Sequence, residues 1–198
     1  PSFRRSNAFD ITGDEVRAVR AGVGINEVHN FGKFRVTGPG ARAWLDRVMA
    51  GRIPQQGRLS LTPMLAPSGR LMGDFTVSCL GPDEYQLTAS YGAQDQHLRW
   101  FMDHMDDGVE VRNISDEWTG FQIAGPKARD LLAECTRDDI ASMKFLDVRW
   151  ITVGMSRCLV QRVSYTGDLG YEIFTEPTKQ RQVFSTLWEA GQPMGIRP

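Results

Sequence analysis

Most of the chain consists of short runs in which apolar and polar residues alternate, the pattern of half-buried β-strands. Runs of this kind are Gly24–Gly38, Arg58–Ala66, Arg70–Leu80, Tyr85–Ala89, Val109–Ile114, Trp118–Ala124 and the span from Val148 to Ser164. Turn residues at 67–69 and 81–84 separate successive runs closely. Strands joined by such short turns pair antiparallel, so the pattern predicts antiparallel sheets.

Five further segments are predicted to be helices, most of them from apolar residues three and four positions apart. They are residues 14–21, 39–48, 94–107, 127–135 and 178–191. His97 and His104 lie two turns apart in the third of these helices. Because no third ligand accompanies them, both are predicted to be surface or half-buried side chains, and no metal site is expected.

A strand–Gly–Pro–helix pattern occurs twice and predicts an internal repeat. Proline suits the first turn of a helix, because its fixed φ fits there and its missing N–H would have no partner. Six pairs match at a spacing of 87 residues: Phe34/Phe121, Gly38/Gly125, Pro39/Pro126, Ala41/Ala128, Arg42/Arg129 and Leu45/Leu132. Chance reuse of a common helix-start signal is the alternative. The repeat predicts two similar α+β lobes, residues 1–115 with a leading segment and residues 116–198, with a ligand expected between them.

The stretch Ser164–Ile173 is the first candidate for chemistry. Its two glycines bracket a predicted two-residue turn between strands, so Tyr165 and Glu172 are expected side by side on opposite arms of a hairpin. A carboxylate among aromatic and apolar side chains suits a flat, nitrogen-rich ligand, because its two oxygens accept from adjacent N–H groups. An ordinary hairpin with Glu172 in solvent is the alternative.

Asp74 is the second candidate, because it interrupts an otherwise apolar strand between Gly73 and Phe75. A central strand is an unfavourable place for a lone carboxylate unless that group is paired or liganded. An aspartate on an edge strand that faces water is the alternative.

The composition of the chain and the motifs that it lacks exclude several classes of function. The chain has 198 residues, 41% of them hydrophobic, with a net charge of −1 from 23 basic and 24 acidic residues, so neither nucleic acid nor a membrane is an expected partner. Three scattered cysteines favour a reducing, cytoplasmic compartment and core positions. The absence of dinucleotide-binding, P-loop and Gly-x-Ser-x-Gly motifs leaves redox chemistry, phosphoryl transfer and serine hydrolysis unsupported. Because the chain starts without Met, it is expected to be a piece of a longer polypeptide.

These residues resemble a known family. Residues 165–172 are similar to the Tyr-Thr-Gly-Glu/Asp-x-Gly-aromatic-Glu motif of tetrahydrofolate-dependent aminomethyltransferases, the glycine cleavage T-protein family. The pattern Gly69-x-x-x-Gly73-Asp74 resembles the segment with that family's catalytic aspartate, although Gly73 replaces a second acidic residue. Residues 31–34, 61–65 and 195–198 look more like the folate-binding half of dimethylglycine and sarcosine dehydrogenases.

The resemblance implies a C-terminally incomplete, T-protein-like folate-binding domain with the pterin ring in a central channel. Glu172 would bind the amino and ring N–H groups of the pterin, Tyr165 would flank it, and Met64 and Tyr91 would also bind the cofactor. Asp74 would be catalytic at the N5/N10 edge. The implied reaction transfers a one-carbon unit from an amine-derived iminium to tetrahydrofolate, giving 5,10-methylenetetrahydrofolate. Implied partners are the amine and a flavin dehydrogenase domain or carrier protein.

Three other functions fit the same fold. One is a folate-dependent demethylase of a sulfonium compound. Another is a non-catalytic folate-binding accessory protein, similar to the iron–sulfur assembly relatives, which carry a cysteine motif that residues 164–168 lack. The third is an interaction domain that has kept the fold alone.

Overall fold

A computed structural model describes residues 5–198, and the chain divides into two compact units. Unit 1 comprises the residues up to Glu27, Gly120–Met143 and Trp150–Pro198. Unit 2 comprises Val28–Thr119 and Lys144–Arg149. Each unit contains one five-stranded antiparallel sheet with helices on one face, which confirms the predicted α+β class.

The elements follow the predicted order closely. They are α1 (Phe9–Ala21), β1 (Gly24–Glu27), β2 (Phe31–Thr37), α2 (Ala41–Val48), β3 (Leu59–Leu65), β4 (Leu71–Gly81), β5 (Glu84–Ser90), α3 (Gln94–Asp103), β6 (Glu110–Asn113), β7 (Thr119–Ala124), α4 (Ala128–Glu134), β8 (Val148–Val153), β9 (Ser156–Gln161), β10 (Gly170–Thr175) and α5 (Gln180–Gly191). The strand order is β1-β7-β10-β9-β8 in unit 1 and β3-β4-β5-β2-β6 in unit 2. Among the described helices, none has the length and apolar character needed to cross a membrane.

Each unit has its own hydrophobic core between its helices and one face of its sheet. In unit 2, Trp44 of α2 and Phe101 of α3 meet edge to face with ring centroids 5.6 Å apart, and Phe34 of β2 packs on Phe101 at 5.4 Å. In unit 1, Leu131 of α4 and Leu187 of α5 are fully buried in the corresponding core. The three cysteines are free and buried, as predicted.

The strand–Gly–Pro–helix unit that the sequence repeats occurs once in each sheet. Gly38 follows β2 with φ 115°, and Gly125 follows β7 with φ 128°. In both places the N–H of the first helical residue, three positions later, donates to the glycine carbonyl at 2.9 and 3.0 Å. Glycine tolerates this left-handed φ, so it ends the strand and directs the chain into the helix.

The repeats exchange one strand each. The chain order β2, α2, β3, β4, β5, α3 of one repeat matches β7, α4, β8, β9, β10, α5 of the other. The strand before each repeat pairs in the other repeat's sheet, because β1 pairs with β7 and β6 pairs with β2. Both sheets are therefore completed by a segment distant in sequence.

The units differ from the predicted lobes in two places. The leading segment, predicted to belong with residues 1–115, groups with unit 1, since β1 joins that sheet from Gly24↔Ala124 to Glu27↔Phe121. Residues 144–149, predicted in the second lobe, group with unit 2, where Asp147 pairs with Arg58. Both differences arise from long-range contacts, which a strand pattern does not reveal.

Candidate functional site

The sheet of unit 1 has a second face, opposite its core. Ile173 of β10 and Val160 of β9 are paired residues that point into the core. Because side chains alternate along a strand, the next pair, Glu172 and Gln161, lies on the other face. Their direct pairing makes the two side chains cross-strand neighbours. The candidate carboxylate therefore has a buried amide beside it.

Glu172 is a half-buried carboxylate with no hydrogen-bond or ion-pair partner among residues 5–198. Phe174 and Leu159, a further cross-strand pair on the same face, are fully buried. Burial raises the pKa of Glu172 to about 7, because loss of water disfavours the charged form. The alternative with Glu172 in open solvent does not hold, and both of its oxygens are available to a ligand that donates N–H groups.

The predicted two-residue hairpin turn is wrong. Eight residues, 162–169, connect β9 to β10, and the strand neighbour of Glu172 is Gln161 rather than Tyr165. Tyr165 is 82% exposed in this connection. Gly170 is not a turn residue: it begins β10, and a Cβ there would lie 2.7 Å from the Ile123 carbonyl oxygen. This glycine permits close strand packing, a role that its spacing did not distinguish from a turn.

Sequence reasoning missed two glutamines on the strands that flank β10. Gln161 is fully buried, and neither its amide oxygen nor its amide nitrogen has a hydrogen-bond partner in the described part of the chain. Gln122 lies on β7, and its Oε1 accepts the Tyr165 N–H at 2.8 Å. Tyr165 is thus held near the second face through its backbone. A polar residue inside an apolar strand, the signal that identified Asp74, would have found both glutamines.

The sheet of unit 2 also has a second face, and it is polar. Phe75, Val77 and Leu87 point into the core, so the residues between them lie on the opposite face. Four buried polar atoms on this face have no hydrogen-bond partner within residues 5–198: Ser78 Oγ, Gln86 Nε2, Thr88 Oγ1 and Arg35 Nε. Unsatisfied buried groups are unfavourable, so a face with several of them is suited to a polar ligand.

Asp74 lies at one end of this polar face. Its strand neighbour on β3 is Pro63, whereas pairing of β4 with β5 begins only at Thr76, so β4 is locally an edge at Asp74. The side chain is exposed and has no ion-pair or hydrogen-bond partner among the described residues. The water-facing alternative is therefore the one observed. An unpaired carboxylate in this position is free to accept a proton or to stabilise a nearby cation.

The structure separates Met64 from Asp74. Met64 pairs with Gly73, the position before Asp74, and its side chain is fully buried in the core on the opposite face of the sheet. This placement argues against the predicted contact between Met64 and the cofactor. Tyr91 is 47% exposed, and continuing the β4–β5 register brings Asp74 opposite Ser90, the residue before it. Asp74 and Tyr91 thus share one end of the sheet.

Two buried basic groups in unit 2 were also not foreseen. Lys33 on the polar face is fully buried, and its Nζ donates to the His29 and Phe31 carbonyls at 2.9 Å each. Burial lowers its pKa to about 8, against the opposing effect of Asp116. His97, predicted at or near the surface, is buried, with Nε2 3.1 Å from the Met72 carbonyl oxygen. No group of three or more metal-ligating side chains occurs in the part of the chain that the structure describes.

The profile of the GCVT N-terminal domain matches residues 1–198, which is the whole chain. The chain belongs to this family. Human mitochondrial dimethylglycine dehydrogenase is 34% identical to this GCVT domain over 201 residues, which cover 99% of the chain and 23% of that protein. The aminomethyltransferase of Halothermothrix orenii is 30% identical over 187 residues, which cover 93% of the chain and 52% of that protein.

Solved structures show the same fold. The glycine cleavage aminomethyltransferase T of Bartonella henselae matches with a TM-score of 0.81 at 17% identity, over 93% of this chain and 49% of its own. A chain of the heterotetrameric sarcosine oxidase of Corynebacterium sp. U-96 matches with a TM-score of 0.70 at 20% identity, over 100% of this chain and 99% of its own. This GCVT domain spans about half, or less, of the length of the curated relatives it matches.

Proposed function

We propose that this GCVT domain transfers a one-carbon unit from an amine-derived iminium or aminomethyl group to tetrahydrofolate, giving 5,10-methylenetetrahydrofolate. Membership of a family that includes aminomethyltransferases supports this activity. The observation that carries the proposal is the half-buried, unpartnered carboxylate of Glu172. A pterin ring fits it, because adjacent amino and ring N–H groups of the pterin would satisfy both carboxylate oxygens.

The domain's own residues would bind the reactants and move a proton. Bound tetrahydrofolate supplies the nucleophilic nitrogen. Glu172 accepts hydrogen bonds from the ring and fixes its orientation. Asp74 would stabilise the positive charge of the donor and accept the proton released as the folate nitrogens bond to the donor carbon and the donor nitrogen leaves as the free amine. Such a general-base role typically contributes about a hundredfold or more.

The donor is an amine such as dimethylglycine or sarcosine, presented by a dehydrogenase domain or a carrier protein. The support is that one relative is a dimethylglycine dehydrogenase and that one structure with the same fold is a chain of a sarcosine oxidase. This GCVT domain would then receive the one-carbon group that the oxidising component forms.

Substitutions of the two carboxylates in the full-length protein are expected to have different effects on methylene transfer and on tetrahydrofolate binding. Asp74→Asn should abolish methylene transfer and leave tetrahydrofolate binding within about threefold of the unchanged protein, because an amide keeps the shape but cannot accept the proton. Glu172→Ala should weaken binding tenfold or more, because the ring loses its acceptor. Calorimetric titration with tetrahydrofolate and assays with dimethylglycine and sarcosine measure both effects.

Asp83→Asn is the matched control, since Asp83 is an exposed aspartate in the turn between β4 and β5. It should change neither binding nor transfer. Full activity of Asp74→Asn would remove Asp74 from the mechanism, and a flat titration of the unchanged protein would refute the proposed function. Turnover of dimethylsulfoniopropionate in place of the amines would instead establish a sulfonium demethylase.

A further inference from the structure

Gln161 stands out among the polar residues of unit 1. It lies in β9 with its side chain fully buried, and both its amide nitrogen and its amide oxygen are without a hydrogen-bond partner in residues 5–198. A buried amide that makes no hydrogen bond typically costs about 1–3 kcal/mol. Leucine or valine would be more stable in such a place, so the amide needs an explanation other than packing.

The residues around Gln161 indicate why an amide lies at this position. Its cross-strand neighbour is Glu172, which also has no partner among the described residues. Side chains paired directly across antiparallel strands have Cβ atoms about 4.5–5.5 Å apart, so the carboxylate and the amide point the same way side by side. The fully buried Leu159 and Phe174 lie next along the same face. Together these four side chains form a polar pair beside an apolar pair.

The polar pair offers a specific sequence of hydrogen-bonding groups. The carboxylate of Glu172 accepts two hydrogen bonds, and the amide of Gln161 can donate one through Nε2. The complementary ligand edge therefore presents two adjacent donors followed by one acceptor. The pyrimidine part of a 2-amino-4-oxopterin has this edge: an exocyclic amino group, a ring N–H and a carbonyl oxygen.

We propose that Gln161 is a ligand-binding residue that determines ring specificity, donating to the carbonyl oxygen of the pterin while Glu172 accepts from its two N–H donors. This assignment rests on the proposed function, since it takes tetrahydrofolate as the ligand. It adds a residue outside the motifs that carry the family resemblance. It also gives the buried amide nitrogen of Gln161 a partner, which no group among residues 5–198 provides.

The test compares two substitutions of buried polar side chains in β9 and β10 of the full-length protein. Gln161→Leu removes the amide at similar volume. Thr175→Val is the matched control, because Thr175 is also a fully buried polar residue but lies on the opposite, core face of β10. Titrations use tetrahydrofolate, the ring fragment tetrahydropterin, and p-aminobenzoylglutamate, which lacks the ring.

Gln161→Leu should weaken the binding of tetrahydrofolate and of tetrahydropterin by the same factor, about tenfold. It should leave the affinity for p-aminobenzoylglutamate unchanged. Thr175→Val should leave all three affinities within twofold. Gln161→Leu should not lower the melting temperature, since it removes an unsatisfied buried group. This combination distinguishes ring contact from a structural role, in which weaker binding would accompany lower stability.

Three outcomes would count against the assignment or against the function beneath it. Equal tetrahydrofolate affinity in Gln161→Leu and the unchanged protein would overturn the role of Gln161 while the proposed function stands. Loss of affinity together with a lowered melting temperature would assign Gln161 to the fold instead. If the unchanged protein binds neither tetrahydrofolate nor tetrahydropterin, the proposed function itself is refuted.

Discussion

Glu172 combines two properties that normally exclude each other in a folded protein. A carboxylate in partly apolar surroundings is usually paired, and an unpaired one usually lies in water. Glu172 is half-buried and unpaired among the described residues, and its pKa is raised to about 7 by burial. The group is therefore close to the midpoint of its titration near neutral pH, where a hydrogen-bond donor from a ligand can favour the ionised form.

This titration predicts a pH-dependent effect of Glu172→Gln on stability. The folded-state pKa lies above the ordinary value of 4.5, so the stability that protonated Glu172 contributes is complete below about pH 4.5 and is lost as the pH rises through about 7. The glutamine variant should match the unchanged protein at pH 4 and exceed its unfolding free energy at pH 8 by about 1–3 kcal/mol. Urea unfolding at both pH values measures the difference. A variant that is less stable at pH 8 would contradict the burial of an uncompensated carboxylate.

At the scale of secondary-structure elements, the two strand-to-helix junctions make the same steric demand. A Cβ on Gly125 would lie 2.4 Å from the Val19 carbonyl oxygen, and one on Gly38 would lie 1.9 Å from the Gly108 carbonyl oxygen. Both glycines also have φ above 110°. The junctions therefore combine backbone strain with a close approach of a second chain segment.

Alanine at either junction should lower the unfolding free energy by about 3 kcal/mol or more, because a main-chain segment must move as well as the φ angle. Gly69→Ala is the control, since Gly69 has φ 79° but no atom of residues 5–198 within 4 Å of an added Cβ. This control substitution should lower the unfolding free energy by only about 1 kcal/mol. Denaturant unfolding of the three variants measures the values. Similar losses in all three would show that the φ angle alone, rather than the close approach, requires glycine at these junctions.

The elements were largely predictable because local patterns determine them. The alternation in β3, β4 and β5 and the Gly-Pro pairs at 38–39 and 125–126 gave boundaries within a few residues of those observed. The connection between β9 and β10 was not predictable in the same way, because Gly170 serves a contact with β7 that spacing cannot show. The exchange of β1 and β6 was missed for the same reason, since pairing partners are set by long-range packing.

The candidate site was predictable only in part. Glu172 and Asp74 were identified from their positions in strands, and both prove to be unpaired carboxylates within the described chain. Met64 was predicted to bind the cofactor, but its side chain lies in the core. Strand register decides which residues face the core, and Met64 pairs with Gly73 rather than with Asp74. Burial lowers the pKa of Lys33, and a single lysine in a β-strand pattern does not predict that burial.

At the scale of the whole molecule, the strand exchange makes each sheet depend on a segment outside its own repeat. Ile25 of β1 is buried in the core of unit 1, together with Cys135 and Cys158. Val111 of β6 is buried in the core of unit 2, together with Cys79. The three buried thiols are therefore internal reporters on the two cores, because alkylation requires each thiol to become exposed.

Charged substitutions in the exchanged strands should open the cores selectively. Ile25→Asp places an unpaired carboxylate in the core of unit 1 and should speed iodoacetamide alkylation of Cys135 and Cys158 tenfold or more over that of Cys79. Val111→Asp places a carboxylate in the core of unit 2 and should speed alkylation of Cys79 over that of Cys135 and Cys158. Its strand, β6, is an outer strand as short as β1. Mass spectrometry of peptides after timed alkylation gives the three rates. Equal acceleration of all three thiols in both variants would show that the two cores open as one cooperative unit, and the exchanged strands would then have no selective effect.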